Sequence, residues 1–164
     1  MLKKTVKESE TKQVQLVLPE HLNPSGRLFG GRLLEWIDIV AAITAQRHAG
    51  CHVTTASIDR LSFKEGAFPG DTLVLRGRIT YAGKTSMEIR VDTFREELSG
   101  KRRLINCAYL VMVAIDRLQK PVEIPPLELL SKTEKLEWEA AKIRALKRKE
   151  RRSGALLQRN FEGN

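Results

Sequence analysis

From Arg32 to His48 the chain contains neither Gly nor Pro, and Leu33, Leu34, Trp36, Ile37, Val40 and Ile43 recur at helical spacing. This run demands a helix with a broad apolar face, so the rest of the chain must supply the surface that covers it. Gly50 is placed to stop the helix, because glycine takes the left-handed conformation of a helix C-terminus at little cost. A turn leads in, through Asn23, Pro24, Ser25 and Gly26, and then Phe29-Gly30-Gly31. The pattern predicts a helix over Gly31–His48. One residue breaks its apolar order. Asp38 sits between Ile37 and Ile39, about two turns beyond Gly31, with Leu34, Glu35, Ala41 and Ala42 on its own face. Burying a carboxylate without a partner is costly. Asp38 is therefore either a functional acid or a structural acid paired with an arginine.

The remainder reads as strands and turns. Gln13–Leu18 alternates and is β-prone, and Pro19 ends it. His52–Leu61 carries the β-formers Val53, Thr54, Thr55 and Ile58. Lys64–Asp71 is turn material. Three long β-runs follow, over Thr72–Tyr81, Ser86–Phe94 and Arg103–Ile115, the last being the most apolar and so the central strand. One long helix and several antiparallel strands make an α+β chain. Pro121, Pro125 and Pro126 form a stiff connector. Ser131 and Glu134 have capping-box spacing, which starts a solvated helix over Lys132–Arg152 and leaves Ser153–Asn164 frayed. Met1–Glu10 has no apolar period and reads as a loose start. The expected organisation is one domain over residues 11–124, then a connector and basic tail over 125–164.

The 164 residues carry a formal charge of +9. Ser131–Arg152 holds nine Lys/Arg against four Asp/Glu, so most of the excess lies there. Such a balance favours polyanionic partners, including ligands that bear nucleotide phosphates. The tail has no interleaved aromatics, so a solvated helix explains it better than a nucleic-acid surface, and no nucleic-acid partner is expected. Cys51 and Cys107 make no disulfide scaffold and read as small buried hydrophobes. With no secretory or spanning segment in view, a cytoplasmic location and no membrane partner are expected. His21, His48 and His52 lack metal-ligand spacing, so no metal is expected. There is no G-x-S-x-G, so an α/β-hydrolase serine route is not supported.

Asn23-x-x-Gly26-x-x-Phe29-Gly30-Gly31, with Asp38 seven residues after the second Gly, resembles the signature of the hotdog-fold acyl-CoA thioesterases, single-domain bacterial type. The likeness covers roughly Thr11–Ile124. It implies a curved antiparallel sheet wrapped around the long central helix, with a C-terminal helix added. It also implies hydrolysis of acyl-CoA to acid and CoA, with no cofactor beyond the CoA of the substrate. In the family the Asn comes from one protomer and the acid from the other. That implies a homodimer as the minimal active unit, and such dimers often assemble into hexamers. Where the family often has an X-Pro pair after the second strand, this chain has Phe63-Lys64-Glu65-Gly66-Ala67.

The residues suit thioester chemistry. Asp38 is either the base that activates water or a nucleophile that forms a mixed anhydride. Gly30 and Gly31 stand at a helix N-terminus, whose free N–H groups suit an oxyanion. Asn23 offers both amide donors and an acceptor, to orient water or hold the carbonyl. The resemblance places Gly83-Lys84-Thr85-Ser86 near the pantetheine or phosphates of CoA, although alone it is an ordinary hairpin. Arg60 and Lys64 are further candidates for phosphate. Two other readings use the same fold. A dehydratase needs a His paired with an acid, and His21 is the candidate near Asp38. A non-catalytic acyl-CoA sensor needs an output domain, and no helix-turn-helix pattern precedes Thr11.

Overall fold

The helix forms where the apolar period demands it, as α2 (Gly30–Ala49), and it buries Leu33, Trp36, Ile37, Val40, Ala41 and Ala45. Gly50 stops it at φ +71°, donating its N–H to Gln46 O. The computed structural model describes residues 2–161; the side chains of Arg60 and of residues 152–161 lie outside that description. Ahead of α2 come β1 (Lys4–Thr5), α1 (Val6–Ser9), β2 (Thr11–Leu16) and a one-turn 3-10 segment (Pro19–His21). After it come β3 (His52–Phe63), β4 (Thr72–Ala82), β5 (Ser86–Glu96), β6 (Arg102–Ile115), β7 (Leu127–Glu128) and α3 (Lys132–Phe161).

Five strands form one antiparallel sheet in the order β2-β4-β5-β6-β3. One face curls over α2, which touches every strand. This is the hotdog arrangement that the resemblance implied. Alternation along the strands sets the core: Leu73 and Leu75, Ile89 and Val91, Leu110 and Met112 all point onto the helix and are fully buried. Each such side chain contributes about 1.5–3 kcal/mol relative to exposure. β4 passes so close to α2 that a Cβ on Gly77 would lie 2.5 Å from Thr44 Oγ1 and 2.8 Å from Val40 Cγ1. As expected, β6 lies inside the sheet. β2 and β3 are its edges.

The start of the chain departs from the expected loose segment. Thr5 Oγ1 accepts from Glu8 N, and Glu8 Oε2 accepts from Thr5 N at 2.7 Å, a capping box that the T-x-x-E spacing already contained. β1 pairs in parallel with β7, and Lys4 Nζ donates to Arg47 O at 2.7 Å. Beside them His48 is fully buried, with Nε2 2.9 Å from Pro125 O and no partner for Nδ1 among the described residues. These contacts tie residues 125–128 to β1 and to the end of α2, and the first compact unit of the chain runs through Glu128. Cys51 and Cys107 are half-buried rather than buried.

In the second unit the Ser131–Glu134 capping box is present, with Glu134 N to Ser131 Oγ at 3.1 Å and Ser131 N to Glu134 Oε2 at 3.0 Å. The helix runs on to Phe161, past the expected end at Arg152. Residues 162–164, the end of the segment expected to fray, lie outside the described residues. Among the described residues no helix is long and apolar enough to cross a membrane.

Candidate active site

The loop before α2 is closed by its own backbone. Asn23 N donates to Arg27 O at 2.7 Å and Gly26 N to Asn23 O at 3.0 Å, with Gly26 at φ +71°. Leu28 N reaches Ala67 O and Phe29 N reaches His21 O, both at 2.8 Å. His21 is structural here: its Nδ1 accepts from Leu18 N at 3.1 Å and its ring stands edge-on to Trp36. The Asn23 side chain is half committed. Its Oδ1 accepts from Ser25 N at 3.0 Å and from Arg27 N at 3.2 Å. The acceptor is spent on the turn, and the two amide N–H donors have no protein partner among the described residues.

At the start of α2, Phe29 O accepts from Arg32 N at 3.0 Å and Leu33 N at 3.2 Å. Phe29 gives no side-chain cap and the first turn has no acid. The N–H groups of Gly30 and Gly31 are therefore left open at the positive end of the helix. The Phe29 ring lies across Gly31, where a Cβ would sit 2.5 Å from Cε1. Gly30 is less constrained, since its Cβ would meet only Phe63 at 3.6 Å.

Asp38 is half-buried, and Thr55 Oγ1 donates to its Oδ1 at 2.8 Å. Among the described residues no cation pairs with Asp38. Sequence reasoning treated Thr55 only as a β-former. A signal was present: Val53 packs on the core, and period-two alternation puts Thr55 on the same helix-facing side. A register shift directly after Thr55 marks a bulge in β3 beside the acid.

Gly83–Ser86 forms the β4–β5 turn, with Gly83 N to Ser86 O at 2.8 Å. Lys84 Nζ lies 3.1 Å from Glu123 Oε1, an exposed pair of little net strength. Sheet register relates this turn to Asp38. Thr55 pairs with Met112, and Met112 with Met87, so Ser86 and Met87 begin β5 in the cross-strand row that holds the partner of Asp38. Two strand spacings make that ~10 Å. Arg60 lies in β3, and its side chain is outside the description. An open concavity of ≈ 590 Å³, lined by Gln46, Cys51, His52, Ile115 and Arg117 among others, lies at the far end of α2 and includes none of the candidates. No group of three metal-ligating side chains gathers among the described residues.

Comparison with known proteins adds to this geometry. Residues 25–100 match the Thioesterase superfamily. A Bacillus subtilis protein described as an uncharacterized acyl-CoA thioester hydrolase is 35% identical over 147 residues, 89% of this chain and 86% of that one. The chain belongs to the acyl-CoA thioester hydrolases. A crystal structure described as an apo-hexameric acyl-CoA thioesterase is 42% identical, with a TM-score of 0.88, covering 92% of this chain and 97% of that one. The Staphylococcus aureus acyl-CoA hydrolase, in complex with butyryl coenzyme A, coenzyme A and coenzyme A disulfide, is 33% identical, with a TM-score of 0.91 over 99% of both chains. That hydrolase has also been solved with Ala replacing an Asn, an Asp and a Thr, at intervals of 15 and 17 residues. Family members differ in length. This chain spans 20% of the mouse acyl-coenzyme A thioesterase 11, with which it is 36% identical over 120 residues.

Proposed function

We propose that this chain hydrolyses acyl-CoA thioesters to a carboxylic acid and free CoA, each site being built by two copies. The observation that carries the reading is the state of Asp38. A structural acid in an apolar helix is held by a cation, whereas Asp38 has one hydroxyl partner and no cation among the described residues. Asn23, Asp38 and Thr55 also repeat the intervals of 15 and 17 residues seen in the S. aureus hydrolase variants.

Thr55 occupies Oδ1 and leaves Oδ2 of Asp38 for chemistry. As a base, Asp38 takes a proton from water while the water oxygen bonds to the thioester carbon. The carbonyl electron pair moves onto its oxygen, toward the N–H groups of Gly31, Gly30 and the Asn23 amide. Collapse breaks the C–S bond, and the thiolate leaves and takes a proton. As a nucleophile, Asp38 forms the anhydride first and water cleaves it. Gly83–Ser86 lies within reach of a CoA whose thioester meets Asp38, and the exposed Lys84–Glu123 pair can open to a phosphate.

Helix geometry supports two copies per site. Asp38 stands ~10 Å along the axis from the Gly31 N–H, at about 1.5 Å per residue, too far for both to meet one carbonyl. β3 offers the edge for a partner: it is unpaired on one side, and Ile58, Phe63 and the nearby Ile39 of α2 are exposed. Three such dimers make the hexamer.

The test is thiol release from acyl-CoAs running from acetyl to palmitoyl. Asp38→Asn keeps the shape and removes the charge, and kcat is expected to fall about a hundredfold or more. No release from any member of the series sinks the assignment. A folded Asp38→Asn protein with near wild-type kcat removes Asp38 from the mechanism.

A further inference from the structure

One side of α3 carries Leu136, Ile143 and Leu146, exposed at 64%, 55% and 55%. At about 100° per residue these fall in one arc centred near Ile143, and Lys132, Glu139, Ala140, Lys147 and Glu150 share it. All four charged members are exposed, and among the described residues none forms an ion pair or a side-chain hydrogen bond within the chain. The arc is thus electrically balanced, two lysines against two glutamates, while the basic surplus of the helix lies off it. A balanced face with apolar residues at its centre does not suit an anionic lipid surface, which selects a basic flank around an uninterrupted apolar stripe.

It does suit itself. Positions whose numbers sum to twice 143 face each other when two copies of α3 run antiparallel about a two-fold axis at Ile143. Ile143 then meets Ile143 of the second copy, and Leu146 meets Ala140. Glu139 meets Lys147, twice by symmetry. Leu136 lies along the stem of Glu150, whose carboxylate reaches toward Lys135. Opposite charges align and the large apolar side chains meet small or apolar ones, as an isologous contact requires. We propose that this face of α3 docks antiparallel on α3 of a second copy. Within the proposed hexamer, which rests on the β3-edge dimer, it supplies the second class of two-fold contact, the one that joins dimer to dimer.

Sedimentation of the full chain tests this, with thiol release from acyl-CoA read in parallel. Glu139→Lys alone, or Lys147→Glu alone, is expected to reduce the assembly from six copies to two, with release per chain retained. The Glu139→Lys/Lys147→Glu double variant is expected to restore six. Ile143→Cys is expected to cross-link copies under mild oxidation, and Lys142→Cys, off the arc, is not. Unchanged mass in both single variants overturns the proposal, as does a double variant no better than the singles. Cross-linking no greater through Ile143→Cys than through Lys142→Cys overturns it as well. So does sedimentation with phosphatidylglycerol vesicles without cross-linking at Ile143→Cys, which assigns the face to lipid. Loss of thiol release in every protein, wild type included, counts against the proposed activity and leaves the assembly readout intact.

Discussion

Asn23 shows how much a single side chain divides its labour. Its carbonyl oxygen holds the loop through Ser25 and Arg27, and only its NH2 faces outward chemistry. Asn23→Asp keeps the acceptor and deletes the donor. It is expected to melt within a few degrees of wild type while kcat falls about a hundredfold or more, the scale of one lost oxyanion donor. Equal losses of melting temperature and rate would make Asn23 a loop residue only. The turn role was legible in the Asn-Pro-Ser-Gly sequence. The division between acceptor and donor was not, because it depends on where two backbone N–H groups point. Thr55 is the complementary case: alternation with Val53 gives the side its hydroxyl faces, and only the folded strand shows which acid it serves.

Among elements, α2 and β4 constrain each other most. Gly77 is there because Val40 and Thr44 occupy the space its Cβ would need. Gly77→Ala is expected to destabilise by about 1–3 kcal/mol, read as a lower midpoint in urea with an unchanged slope. An unaltered midpoint would mean that strand and helix separate at no cost. The N-terminal elements show a different constraint. His48 is held below its ordinary pKa of 6.5, first by burial and then by the charge of Lys4, against the Pro125 bond and Glu8, which pull the other way. The unfolded chain therefore binds the proton more readily than the folded one. Stability is full above the ordinary imidazole value and declines as pH falls below it toward the folded pKa. His48→Gln removes the titrating ring, so the wild-type minus His48→Gln stability difference is expected to shrink as pH drops from about 7.5 to 5. Parallel curves over that range would remove His48 as the cause.

At the scale of the whole molecule, the proposed site belongs to no single chain. Asn23→Asp and Asp38→Asn proteins are each expected to be nearly inactive. Denatured together and refolded, they form about half mixed dimers, each with one intact and one doubly damaged site, so activity returns to roughly a quarter of wild type. If subunits exchange and nothing returns, both residues act within one chain and the shared-site reading is wrong. The ~10 Å between Asp38 and the start of its own helix makes the first outcome the expected one.

The long helix, the succession of strands along the chain and the Asn–Gly–Gly–Asp spacing were readable from the chain, because each rests on local periodicity or a fixed short spacing. So were the stop at Gly50 and the cap at Ser131. The N-terminal cap was equally local, in Thr5 and Glu8, but the charged residues around it hid the signal. Other features were decided only when distant segments met: Thr55 on Asp38, seventeen residues away, and Gly77 under Val40. Lys4–Thr5 beside Leu127–Glu128 is the extreme case, since short strands have no pattern of their own and form only where a partner edge is presented. Periodicity reports which face of an element is buried. It does not report which residue waits on the other side, and the identity of that neighbour separates a stranded acid from a paired one.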